Sequence, residues 1–239
     1  MSDATNPLLH PSVLPYQLPD FRAIRPEHYL PAFDAAFAEH RAEIERITLV
    51  RSMPTFENTI EAIESAGETL ERVAHAFYTV SSADATAEIQ EIEEILAPLM
   101  AAHEDAIRLD ARLYWRVAQV HENLAALGLT PEQRYLVERH FREMTHAGAA
   151  LDDEAKERLT ALNQRLSSLS TTFEKNLLND TNDLAVVFDD AAALSGLADG
   201  ELSAAARAAT ERGLDGSWLL TLPLFTGHPA LSALHERES

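Results

Sequence analysis

Apolar residues recur along most of this chain at steps of three and four, the spacing that lines one face of an α-helix. A first helix is predicted over about 26–47. Pro26 suits its first turn, where a missing N–H costs nothing, and Pro31 is an early kink at most. Thr55 can cap a second helix whose stripe reads Phe56, Ile60, Ile63, Leu70, Val73, Phe77 and Val80. Ile89, Ile92, Leu96, Leu99 and Met100 draw a third stripe over 85–107, with a bend expected at Pro98 because proline removes a mid-helix hydrogen bond. Leu113, Val117, Val120 and Leu124 mark a shorter helix that stops near Gly128. Thr130, Pro131, Glu132 and Gln133 then read as a capping box opening a helix to about His146, broken by Gly148.

The clearest stripe is Ala155, Leu159, Leu162, Leu166, Leu169, Phe173 and Leu177. Up to Phe173 its steps alternate four and three, a heptad seam. About three heptads are too few for a free coiled coil, so the seam is expected to be core, a buried contact within an antiparallel bundle. After Asn182 the texture changes. Short strands are expected over 184–188 and 218–222, around a helix over 201–212 capped by Gly213. The last segment, 229–239, reads as an amphipathic helix barely begun, with Leu231 and Leu234 lacking a following partner. At the other end Pro7, Pro11, Pro15 and Pro19 make an extended arm. Leu8, Leu9, Leu14, Tyr16 and Leu18 make it too apolar for a free tail, so it is expected to lie across a helical surface. The expected fold is all-α: an antiparallel helical bundle with a small two-stranded β element near the C-terminus. Its expected divisions are an arm at 1–20, the bundle at 21–182 and the strand-helix-strand element with a final helix at 183–239.

Charge narrows the function classes. The formal net charge is −20, from 39 acidic and 19 basic residues. A field of that sign repels phosphate backbones and anionic lipid, so neither nucleic acid nor membrane is expected as a partner. Between residues 56 and 110 stand 13 carboxylates against only Arg72 and Arg108. Such a run is a solvated helical face, or one wall of a site that attracts cationic ligands or peptide termini. The absence of cysteine removes disulfides, thiolate metal sites and cysteine nucleophiles. The first twenty residues lack the basic and apolar regions of a signal peptide, and no apolar run approaches a membrane span. A cytoplasmic location is the resulting expectation.

Ten histidines among many glutamates invite a search for metal ligands. A zinc-peptidase helix needs two histidines four residues apart, with a glutamate beside the first as general base. His103-Glu104, His121-Glu122 and His235-Glu236 each begin that pattern, but Ile107, Ala125 and Ser239 occupy the required fourth position. His140, Glu143 and His146 are the nearest alternative, although the two histidines lie about 120° apart around a helix axis. Asp180, Asn182 and Asp183 fail as a calcium loop because Leu184 and Ala185 stand where a ligand and the turn glycine belong. No nucleophile elbow, phosphate loop or dinucleotide fingerprint is present. No catalytic or metal-binding residue is therefore assigned, and substrate-binding residues stay unknown.

Several segments, in order, resemble the N-terminal part of the thimet-oligopeptidase family of zinc metallopeptidases, especially its bacterial branch of oligopeptidase A and peptidyl-dipeptidase Dcp. FRAIRPEH at 21–28 followed by PAF at 31–33 resembles that family's opening helix, and PTFENT at 54–59 is the most specific match. LTPEQ at 129–133, AGAAL at 147–151 and FEKN at 173–176 support it. GLDGSW at 213–218 and HPAL at 228–231 look like the Dcp branch. The resemblance implies the helical region that walls a channel for short peptides in a much longer enzyme. There, zinc sits in a part this sequence lacks, so no cofactor belongs to this chain. It also implies a truncated gene, a split gene with a separate catalytic half, or a deliberately shortened chain. The alternative is a stand-alone helical module that binds peptides or proteins. A self-sufficient enzyme built on the acidic 56–110 region is a third reading.

Overall fold

Residues 6–221 and 224–235 are described by a computed structural model. The helices are α1 (Tyr29–Thr48), α2 (Glu68–Ala83), α3 (Ala87–Arg108), α4 (Ala111–Glu122), α5 (Pro131–Ala147), α6 (Asp153–Asp183), α7 (Asp199–Glu211) and α8 (Leu224–Ala233). A π-helical turn at Phe56–Glu61 and a single α-turn at Ala62–Glu64 precede α2. Strands β1 (Val186–Phe188) and β2 (Trp218–Leu220) pair antiparallel, Val186 opposite Leu220 and Phe188 opposite Trp218. The expected all-α class with its small two-stranded element is the observed one. Both strands are shorter than the apolar runs that announced them, and Leu222 lies outside the described residues.

Caps account for several boundaries. Thr130 Oγ1 accepts from the Gln133 N–H while Gln133 Oε1 accepts from the Thr130 N–H, which closes the capping box on α5. Gly148 ends that helix in the left-handed region at φ 100°. Asp110, unread in the sequence, caps α4 by accepting from the N–H groups of Arg112 and Leu113. Helix α3 runs on through Pro98.

The chain divides into two compact units, Met1–Thr171 and Thr172–Ser239. In the first, the ends of α1 serve two cores. Tyr29, Phe33 and Phe37 pack with Leu70, Val73 and Phe77 of α2 and with Ile89, Ile92 and Leu96 of α3. Ile44 and Ile47 join Phe56, Ile60, Leu113, Val117, Val120 and Val137. In the second unit Leu194, Leu197 and Ala230 form a small core beneath the strand pair, with Phe188, Trp218 and Leu220 against it.

Four expectations need correction. The stripe from Phe56 to Val80 is not one helix. The chain turns at Gly67, whose φ of 86° is left-handed, and Glu43 Oε2 accepts the Gly67 N–H at 2.7 Å. A turn glycine that looks like ordinary helix punctuation is thus held by α1. The α6 seam is not core. None of its described residues is buried, and Leu166 and Phe173 are 63% and 68% exposed. The final helix begins earlier than read and does find a partner. Ala230 is buried against the upstream Leu194 and Leu197, and the His235 N–H donates to the Ser195 carbonyl. Leu231, on the same helix, stays 70% exposed. The arm, finally, meets the bundle through its first described residues rather than along its length, with Asn6 Nδ2 donating to the His28 carbonyl at 2.8 Å. Leu8 is buried and Arg72 donates to the Leu8 and Leu9 carbonyls, while Val13 and Tyr16 face solvent.

Candidate functional site

Two of the residues considered as metal ligands are engaged by other side chains. His140 Nε2 lies 2.7 Å from Glu64 Oε1, and Glu143 accepts from Arg139 Nε at 2.8 Å. That bond holds the Glu143 carboxyl below its usual pKa. His121 stacks on Phe141 with ring centroids 4.1 Å apart. Asp180 and Asp183 belong to the last turn of α6, so no calcium-type loop exists there. Among the described residues, no three His, Asp or Glu side chains converge closely enough to hold a metal ion.

The acidic stretch is likewise divided among local tasks. Glu68 pairs with Arg72 and Glu104 with Arg108, one helical turn apart. Glu93 accepts from Ser81, and Asp110 caps α4. Asp105 accepts from Asn163 Nδ2 through both oxygens, at 2.9 and 3.0 Å. Asp105 and Asp110 also line a groove between α3 and α6 with Asp153, Glu157 and Lys156. Lys156 Nζ is spoken for there, donating to the Leu109 carbonyl at 3.0 Å.

Two buried polar features escaped the sequence reading. His103 is 3% exposed, its ring 4.6 Å from that of Phe37, and its Nε2 is 3.1 Å from His40 Nδ1. Its Nδ1 is buried with no hydrogen-bond partner. Burial first, then the nearby His40 and Arg41, pushes the His103 pKa down to about 4, so the ring is neutral. Arg116 is 1% exposed. Its Nη1 donates to the Val50 carbonyl at 2.9 Å, and its Nη2 to Asn58 Oδ1 at 2.7 Å and Thr59 Oγ1 at 3.1 Å. No carboxylate is among these acceptors; the guanidinium is solvated by neutral oxygens, and burial lowers its pKa. The only sequence signal was an arginine at an apolar-stripe position between Leu113 and Val120.

The surface feature that stands out is α6. Leu162, Leu166, Leu169, Phe173 and Leu177 are each more than half exposed. Leaving each in water forgoes roughly 1 kcal/mol of burial. A row of such side chains marks an interaction surface more often than an isolated apolar residue does.

Comparison with known proteins shows what this chain is similar to. It is 38% identical over 236 residues to a dipeptidyl carboxypeptidase of Salmonella typhimurium, an alignment covering 99% of this chain and 35% of that protein. The dipeptidyl carboxypeptidase of Escherichia coli gives 38% over 232 residues, and oligopeptidase A of the same organism 27% over 228. The chain is homologous to these peptidases. No family model matches it. It spans about a third of the length of these curated relatives.

The resemblance read from the short motifs is therefore a homology along nearly the whole chain. Within this homologue of the two peptidases, the most specific of those motifs has a structural explanation. Thr55 and Asn58 cap each other reciprocally, and Asn58 Nδ2 donates to the Met53 carbonyl. Arg116 then clamps the same turn through Asn58 and Thr59. PTFENT builds a buried joint between the 50–59 turn and α4.

Proposed function

We propose that this chain is the N-terminal, helical, non-catalytic region of a zinc-dependent peptidyl-dipeptidase or oligopeptidase acting on short peptides. In this reading it helps to wall the channel through which unstructured peptides reach the catalytic part. The zinc and the water it activates belong to polypeptide beyond the matched third. The residues described here do not fit a zinc site, so no catalytic step is assigned to them. The observation that carries the reading is the alignment itself: 99% of this chain against 35% of a dipeptidyl carboxypeptidase. The exposed α6 face gives it a physical counterpart, a surface ready for further polypeptide.

Peptide hydrolysis by the purified chain, with and without a zinc chelator and beside a metal analysis, tests the proposal. The expected result is no turnover and no stoichiometric zinc. Chelator-sensitive turnover with one zinc per chain would overturn it in favour of a self-sufficient enzyme. The same exposed face also suits a stand-alone helical interaction module, which peptide affinity in a stable monomer would favour.

A further inference from the structure

We infer that the face of α6 centred on Leu162, Leu166 and Leu169 docks polypeptide corresponding to the part of the homologous peptidases that this chain does not match. The inference rests on the scaffold reading above and adds the surface through which it acts. Two polar contacts orient α6 on α3: Lys156 to the Leu109 carbonyl and Asn163 to Asp105. Lys156 and Asn163 are seven residues apart and share one side of the helix. At 3.6 residues per turn, the Leu162, Leu166 and Leu169 side lies about 100° around the axis from them. The seam is therefore turned away from its own anchoring contacts, although its side chains have the spacing of a packed interface.

Arg165 is the one charged side chain beside the seam centre, and its aliphatic stem can pack at the edge of the face while the guanidinium stays in water. From Leu166 to Phe173 the helix carries no charge, only Ser167, Ser168, Ser170, Thr171 and Thr172 between the apolar positions. Covering this stretch desolvates no ionised group. At its N-terminal end the seam is already partly packed, since Leu159 and Leu151 close over Gly148. A second copy of this chain is the poorer occupant, because each copy brings a net charge of −20 to the contact. The relatives contain about twice as much further polypeptide as this chain matches, by the 35% share of their length. An apolar face within it can cover the seam without that like-charge penalty.

The chain contains no cysteine, so Leu166→Cys places a single reporter thiol on this face. The test compares its alkylation rate in the isolated full chain with that in a chimaera. The chimaera is E. coli dipeptidyl carboxypeptidase with its matching 34% replaced by this whole chain. Mass spectrometry identifies the labelled peptide, and the urea-unfolded chimaera sets full reactivity. The expected result is fast labelling in the isolated chain and at least tenfold slower labelling in the folded chimaera. Equal rates would overturn the inference. Protection already present in the isolated chain and lost on dilution would also overturn it, in favour of a second copy. Dipeptide release by the unsubstituted chimaera reads the scaffold role separately. Activity without protection leaves that role standing and removes this face from it; protection without activity does the reverse.

Discussion

His103 gives the bundle an acid-sensitive joint between α1 and α3. In the folded chain its imidazole is neutral, with a pKa of about 4 against the usual 6.5. Unfolding returns the ring to water and to its ordinary affinity for protons. Between pH 6.5 and 4 the unfolded state thus binds more protons than the folded one, and stability rises with pH across that window. The contribution is complete above pH 6.5 and is lost as pH falls towards 4. A shift of this size corresponds to about 3 kcal/mol. His40, whose pKa is also lowered by burial, acts in the same direction, while Glu43 beside it works the other way. Urea unfolding at pH 7, 5.5 and 4.5 measures the effect, with His103→Gln as reference because an amide can still bond His40. The native chain is expected to lose 2–3 kcal/mol more than the variant over this range, on the order set by the same linkage. Parallel pH profiles for the two, or a His103 titration by NMR near 6.5, would refute the reasoning.

Two further perturbations probe the joints described above. Arg116→Ala removes the donors to Val50, Asn58 and Thr59 in a buried setting and is expected to cost roughly 3 kcal/mol or more, read as a lower urea midpoint. Arg116→Lys should restore only part of it, because an ammonium lacks the planar fork. Gly67→Ala is expected to cost about 1–3 kcal/mol, from its positive φ and from the His40 ring, 3.0 Å from where the new Cβ would stand. Gly213→Ala shares the left-handed φ but meets nothing within 4 Å. Its loss should be the smaller, and equal losses would show that the His40 contact contributes nothing.

Where function is concerned, the order of short motifs pointed to the peptidases with which the chain proves homologous. No candidate site was legible in addition, because carboxylates and histidines of the kind that form one are engaged by partners such as Arg139, Glu64 and Asn163. Their pairings cross between elements and leave no spacing to read. The joints at Arg116 and His103 were hidden for the same reason. A polar residue on an apolar stripe does not announce whether it is solvated, paired or buried.

Local chemistry by itself determined most helix limits. The Thr130–Gln133 capping box, the left-handed Gly148 and the apolar steps along α3, α4 and α5 act within a turn or two of their own backbone, so composition and spacing suffice. Tertiary structure alone decided the rest. Gly67, the residue from which α2 starts, is held by α1, where Glu43 binds its N–H and the His40 ring lies against it, contacts 24 and 27 residues distant. The heptad seam of α6 specified an amphipathic helix but not what covers it. Periodicity records that a face is apolar; only the arrangement of the other elements determines whether anything lies against it, and along Leu162 to Leu177 those side chains remain more than half exposed.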